Sequence, residues 1–142
     1  LEKARQQISR QAGPIVTTSS IYETVPWGNG NQGMFYNQVA VVQTTLTPPM
    51  LLSSLLTIET QLGRVRNEKY GPRNIDIDIL FYNDAIINTP ELTLPHPALH
   101  TRRFTLVPLN EVASGFIHPI LKKSIGQLLD ECPDNLPVTR IS

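Results

Sequence analysis

Residues 74–82, NIDIDILFY, alternate isoleucine and aspartate with a period of two. Side chains at i and i+2 share one face of a pleated strand, so the run reads as a strand with one apolar face and one acidic face. Ile75, Ile77 and Ile79 form the face that enters a core. Asp76 and Asp78 stand on the other, about 6.5–7 Å apart along the chain. The chain must therefore build at least one sheet, anchored on one side and presenting two carboxylates on the other.

The other elements follow from periodicity and punctuation. Residues 1–12 place Leu1, Ala4, Ile8 and Ala12 at helical spacing, and Gly13-Pro14 ends that helix. Ile15–Val25 is rich in Val, Ile, Thr and Tyr and reads as a strand. The segment 26–33, PWGNGNQG, is a loop, and Phe35–Leu46 is a second strand that pairs with the first around it. Thr47-Pro48-Pro49 starts a helix with Thr47 as N-cap. Leu51, Leu52, Leu55, Leu56, Ile58, Glu59 and Leu62 run at helical spacing and carry that helix to Gly63, the expected C-terminal cap. After the 74–82 strand, Asn83-Asp84 turns the chain into a hairpin arm, Ala85–Asn88. Short helical pieces are expected around 98–101 and 105–113, and a small amphipathic helix over Ser124–Glu131.

Helix, strand, strand, helix, strand is an α+β order. It matches a ferredoxin-like βαββαβ sandwich with its first strand absent. The chain opens inside an amphipathic helix, which leads to the same expectation: one domain, 1–142, truncated at its N-terminus. This superfold hosts many activities, so the order by itself assigns no chemistry.

Composition narrows the function classes. The 142 residues carry 12 Lys+Arg against 12 Asp+Glu, a net charge of zero. That balance argues against non-specific nucleic-acid binding, which needs a basic excess. No apolar stretch approaches the roughly 20 residues of a membrane span. The single cysteine, Cys132, rules out an internal disulfide framework and suits a reducing, cytoplasmic setting.

The charges are unevenly placed. Arg64, Arg66, Lys69 and Arg73 precede the acidic pair and Arg102-Arg103 follow it, six of the 12 basic residues inside residues 64–103. Two neighbouring carboxylates repel unless something positive sits between them. A divalent cation such as Mg²⁺ or Mn²⁺ answers that need, as one ion or as two about 3.5–4 Å apart. Arginine's planar fork suits phosphate oxygens. Together these are equipment for binding and transferring polyphosphate. A solvated sheet face with surface ion pairs is the plainer alternative. Neither a P-loop nor a kinase glycine-rich loop is present. His96, held between two prolines in LPHP, could donate to a phosphate or ribose oxygen. His100 and His118 read as surface residues. Trp27, in a Gly/Asn-rich loop, suits a lid or ligand wall. Cys132 and Ser19-Ser20 have no suggestive base nearby, which speaks against nucleophilic catalysis.

The joint pattern R-V-R-N-E-K-Y-G-P-R-N-I-D-I-D-I-L-F-Y, N-T-P-E-L-T-L-P-H-P and R-R-F resembles the 6-hydroxymethyl-7,8-dihydropterin pyrophosphokinases of folate biosynthesis. The resemblance runs from S-S-I-Y-E-T-V-P at 19–26 to near Val112. It implies transfer of the β,γ-pyrophosphate of ATP onto the pterin's hydroxymethyl oxygen, with release of AMP. By position, it implies that Asp76 and Asp78 hold two Mg²⁺ ions. Arg64, Arg66 and Arg73 would line a mobile loop over the phosphates, with Arg64 and Arg73 counted with the two aspartates as catalytic. Glu59, Arg66, Ile79, Thr93, His96 and Arg102 match positions that contact ATP. Thr24, Val25, Trp27, Phe35, Asn37 and Phe104 match the pterin site, the two phenylalanines sandwiching the flat ring. A planar ligand with a polar edge is well complemented by aromatic faces and one amide.

This sequence departs from the family at several positions. Phe35 stands where some relatives have Tyr, and Tyr70 where some have Trp. Leu56 and Glu91 stand where polar and basic residues occur. The family's first strand, ending in Gly-Ser-Asn, is absent. The resemblance also implies a monomer acting on small molecules, with no nucleic-acid or membrane partner. The alternative is a truncated or degenerate non-catalytic domain that binds nucleotide or a partner. An RNA-binding sheet is disfavoured, since its face would carry aromatic and basic residues rather than acids.

Overall fold

The computed structural model describes residues 1–24, 34–65 and 75–142, with the side chains of 64 and 65 also outside the description. Two apolar clusters organise the chain. The first packs α1 (Glu2–Gln11) against α2 (Pro48–Val65) through Ala4, Ala12, Leu51, Leu55, Ile58 and Leu62. These are the positions that the 3.6-residue period brings to one face of each helix. Thr47 Oγ1 accepts the Met50 N–H at the start of α2, as its capping role requires. The helix does not stop at Gly63 but runs through it to Val65. Gly63 is therefore an interior residue, and packing of Leu62 into the cluster outweighs the local cost of a helical glycine.

Gly13 ends the first helix for a steric reason. Its φ is +150°, and a Cβ placed there would lie 2.1 Å from the carbonyl oxygen of Gln43. The Gln43 N–H donates to the Pro14 carbonyl at 2.9 Å, so the chain crosses here in backbone contact.

The two expected strands around the 26–33 loop do pair, but each is broken in two. β1 (Ile15–Thr18) lies antiparallel to β4 (Ala40–Val42), and β2 (Tyr22–Thr24) antiparallel to β3 (Phe35–Asn37). Ser19 makes the break. Its buried hydroxyl accepts the Val39 N–H at 2.9 Å, its N–H donates to the Val39 carbonyl at 2.8 Å, and its carbonyl accepts from the Gln38 amide at 2.7 Å. A side-chain acceptor thus replaces part of the ladder and lets the hairpin bend. β7 (Val138–Arg140), not expected from the sequence, adds to the far edge of β2.

Ile75–Leu80 keeps the expected alternation, with Ile75, Ile77 and Ile79 packed on the first cluster and Asp76 and Asp78 exposed. It is not, however, a paired strand. Among the described residues no strand supplies a ladder to it. The hairpin arm is also corrected: β5 (Ile87–Asn88) pairs with β6 (Thr93–Leu94), while Asn83, at φ 52°, turns the chain away from 75–82.

The second cluster joins α3 (Arg103–Ala113) and α4 (Ile125–Asp130) through Leu99, Leu106, Leu109, Ile125 and Leu128. Ser124 caps α4 by accepting the Gln127 N–H. Leu80 and Phe81 enter this cluster, whereas Ile75–Ile79 enter the first, so the acidic segment spans both cores. The fold is mixed α/β with antiparallel sheets. Among the described residues no helix is long and apolar enough to cross a membrane.

Candidate active site

A groove of about 660 Å³ runs between the hairpin residues Asn37–Thr44 and the extended segment 75–83. Asn37, Asp76, Asp78, Ile79, His96, Arg102 and Phe104 all line it. Residues spread over nearly seventy positions of chain thus meet on one cavity. The helices beneath hold one wall, and α3 brings Phe104 to the other.

Asp76 and Asp78 are exposed, and among the described residues neither is paired with a lysine or arginine. Among the described residues His96 comes within ion-pair distance, its Nε2 lying 4.0 Å from Asp78 Oδ2. Its Nδ1 accepts the Ala98 N–H at 3.1 Å. That assigns the proton of the neutral ring to Nε2, facing Asp78. The His96 N–H donates to the Leu80 carbonyl at 3.0 Å, which ties the LPHP turn to the end of the acidic segment.

Glu59, on α2, accepts the backbone N–H of Ile77, the residue between the two aspartates. The guanidinium of Arg102 lies 5.7 Å over the Phe104 ring, within cation–π reach. Both residues sit at the start of α3. Its first turn has no cap from Arg102 itself; instead Asp134 Oδ2 accepts the Arg103 N–H at 3.0 Å.

Several expected site residues lie off the groove lining. Thr24 is buried in β2, directly opposite Phe35, whose ring is 47% exposed. Thr93 belongs to β6 and pairs with Asn88. Val25, Trp27, Arg66 and Arg73, with the side chain of Arg64, lie outside the described residues.

His118 is corrected outright. It is 4% exposed, edge-on to Phe81, and its Nδ1 accepts the N–H groups of Ile120 and Leu121. Burial, with the nearby His100, holds its pKa below the usual 6.5. His100 is half-buried rather than a surface residue.

Two anchoring acids, Asp134 at the start of α3 and Glu111 within it, carried no signal in the sequence. Glu111 accepts from the Ser20 N–H, the Ser20 hydroxyl and the Tyr22 hydroxyl, tying α3 to the hairpin. Those bonds hold its carboxyl below the ordinary carboxylate range. Burial and the Glu111 bond push the Tyr22 phenol up.

The two carboxylates suit Mg²⁺, a hard cation commonly bound by one or two carboxylates together with substrate phosphates. Among the described residues no cluster of three or more His, Cys, Asp or Glu residues exists to form an all-protein cage.

Comparison with known proteins agrees with this class of enzyme. The model of the 7,8-dihydro-6-hydroxymethylpterin-pyrophosphokinase (HPPK) family matches residues 1–114. The 2-amino-4-hydroxy-6-hydroxymethyldihydropteridine pyrophosphokinase of Aquifex aeolicus is 43% identical over 117 residues, 82% of this chain and 73% of that protein. The protein of the same name from Haemophilus influenzae is 41% identical, covering 90% of this chain and 81% of its own length. The folic acid synthesis protein fol1 of Pneumocystis carinii is 39% identical over 93% of this chain, which spans only 18% of that longer protein. A crystal structure of Plasmodium falciparum HPPK-DHPS shares the fold at a TM-score of 0.69 and 19% identity, covering 92% of this chain and 39% of that one. The chain is an enzyme of the pyrophosphokinase class. It belongs to the 7,8-dihydro-6-hydroxymethylpterin-pyrophosphokinase family.

Proposed function

We propose that this chain transfers the terminal pyrophosphate of ATP to the hydroxymethyl oxygen of 6-hydroxymethyl-7,8-dihydropterin, as a step of folate synthesis. The pterin oxygen forms a bond to the β-phosphorus, and the bond from that phosphorus to the α,β-bridging oxygen breaks. AMP leaves with that oxygen, and the hydroxyl proton is released. The observation that carries this reading is the meeting of Asp76, Asp78 and His96 with Asn37, Arg102 and Phe104 on one groove.

Asp76 and Asp78 would hold Mg²⁺, two ions by family resemblance, which when bound neutralises charge on the triphosphate. His96 donates from Nε2 to a phosphate oxygen beside Asp78. Arg102, with Arg64, Arg66 and Arg73, meets the remaining phosphate charge. Ile79, Glu59 and Thr93 contact the nucleotide. Phe35 and Phe104 sandwich the pterin, Asn37 reads its edge, and Thr24, Val25 and Trp27 form the adjoining wall. Catalysis is then mostly positioning and charge stabilisation.

The ferredoxin-like architecture belongs to the same reading. Ala40–Val42 pairs on one edge with β1, and Ile75–Leu80 lies extended along the same groove, which supports that reading. The single cysteine supports a cytoplasmic setting, and the family resemblance supports a monomer acting on small molecules.

The test is AMP production from ATP, Mg²⁺ and the dihydropterin alcohol, by this protein and by Asp76→Asn and Asp78→Asn. The expected result is AMP from the parent and a loss of at least about a hundredfold in each variant. No AMP from the parent, or full rate in both variants, sinks the reading.

A further inference from the structure

The match to the family model ends at residue 114, yet the later segment Asp134–Arg140 touches both elements that carry expected substrate contacts. On one side Val138–Arg140 pairs with β2, with Val138 opposite Thr24. On the other, Asp134 Oδ2 accepts the Arg103 N–H at 3.0 Å while Oδ1 accepts the Leu136 N–H at 2.9 Å. Both carboxylate oxygens are thus engaged by backbone donors.

The Arg103 N–H lies between Arg102 and Phe104, the residues stacked guanidinium over ring. Arg102 offers no side-chain cap to α3, and the first turn contains no acidic residue. Asp134, 31 positions away, supplies both the missing acceptor and the negative charge that a helix start favours. Arg102 and Phe104 line both the groove and a second, open depression of about 820 Å³ that Pro133–Leu136 also line. The Arg103 N–H bond to Asp134 therefore lies at the backbone between the two side chains that line both spaces.

We propose that Asp134 is a positioning residue for the substrate site, holding the Arg102–Phe104 pair in place through the Arg103 N–H. Its role is positioning because each of its oxygens already accepts a backbone N–H of the protein. This rests on the reading of Arg102 and Phe104 as substrate contacts.

The experiment is steady-state kinetics with binding titrations of ATP and the dihydropterin alcohol on Asp134→Ala, Asp134→Asn and Phe104→Ala. Asp134→Ala is expected to raise Kd and KM for both ligands about fivefold, the equivalent of one lost cap, with kcat within about twofold of the parent. Asp134→Asn retains one acceptor oxygen and should fall between. A residue that merely holds the fold would reduce the active fraction, lowering kcat at unchanged KM. That outcome overturns the proposal, as does parent-like affinity in Asp134→Ala. If the alanine variant does not fold, the asparagine variant is read by the same criteria. Phe104→Ala separates the two levels of argument. Pterin affinity lost there but unchanged in Asp134→Ala overturns the positioning role alone; affinity unchanged in Phe104→Ala overturns the site reading with it.

Discussion

His96 Nε2 stands 4.0 Å from Asp78 Oδ2, too far for a hydrogen bond and within reach of an ion pair. An exposed pair at that separation contributes little to stability.

Replacing His96 should therefore separate function from folding. His96→Ala loses the acceptor for the Ala98 N–H, costing about 1 kcal/mol. It should lower kcat/KM for ATP by about tenfold or more. His96→Asn can keep the Ala98 bond, so its melting curve should match the parent while the ATP defect persists. Thermal melts beside ATP kinetics check both statements.

The two faces of residues 75–79 should respond in opposite ways. Ile77→Ala, on the face packed against the helices, should cost about 1–3 kcal/mol in urea unfolding. Asp78→Asn, on the exposed face, should leave the urea midpoint unchanged or slightly raised, since it removes a like-charge neighbour of Asp76. An Asp78→Asn variant as destabilised as Ile77→Ala would contradict the assignment of faces.

Gly13→Ala should destabilise the chain by about 2 kcal/mol or more. The new Cβ meets the Gln43 carbonyl oxygen at 2.1 Å, and φ of +150° is unfavourable for any L side chain. Unfolding in urea measures it, with Gly115→Ala as a control, because a Cβ at Gly115 meets nothing within 4 Å.

Acid should weaken the fold in two stages. His118 is neutral when folded, with its pKa depressed, so the unfolded chain binds more protons as pH falls below about 6.5. Stability drops from there until pH passes the folded pKa. The groups facing the ring are Phe81, His100 and the two backbone N–H donors. Glu111 adds a second loss: its stabilisation is present above about 4.5 and disappears as pH falls through its lowered folded value. Urea midpoints between pH 8 and 3 should show both stages. His118→Asn should remove the upper one, and Glu111→Gln the lower.

Much of the site was legible because its signals are local. The period of two in NIDIDIL put the aspartates on one face and the isoleucines on the other, and the structure keeps that division. The LPHP turn was identifiable from a few adjacent residues, whereas the helix expected around 105–113 begins at Arg103. Val138–Arg140 had a weak signal, Val-Thr after Pro137, but a three-residue strand is recognisable only beside its partner β2. Asp134 and Glu111 had none, since their partners lie 31 and 89–91 positions away.

By itself the sequence determined the helices, the alternating acidic segment and the residue types available for phosphate and pterin. Those follow from neighbours within a turn of helix or a step of strand. Only the tertiary structure decided that α2 passes through Gly63, that His118 is buried, that Ser19 breaks the hairpin, and that Asp134 caps α3. Each depends on which distant group satisfies a backbone donor or fills a space in a core. No short-range pattern encodes that pairing, because it is settled by the competition among all segments for burial and hydrogen bonds.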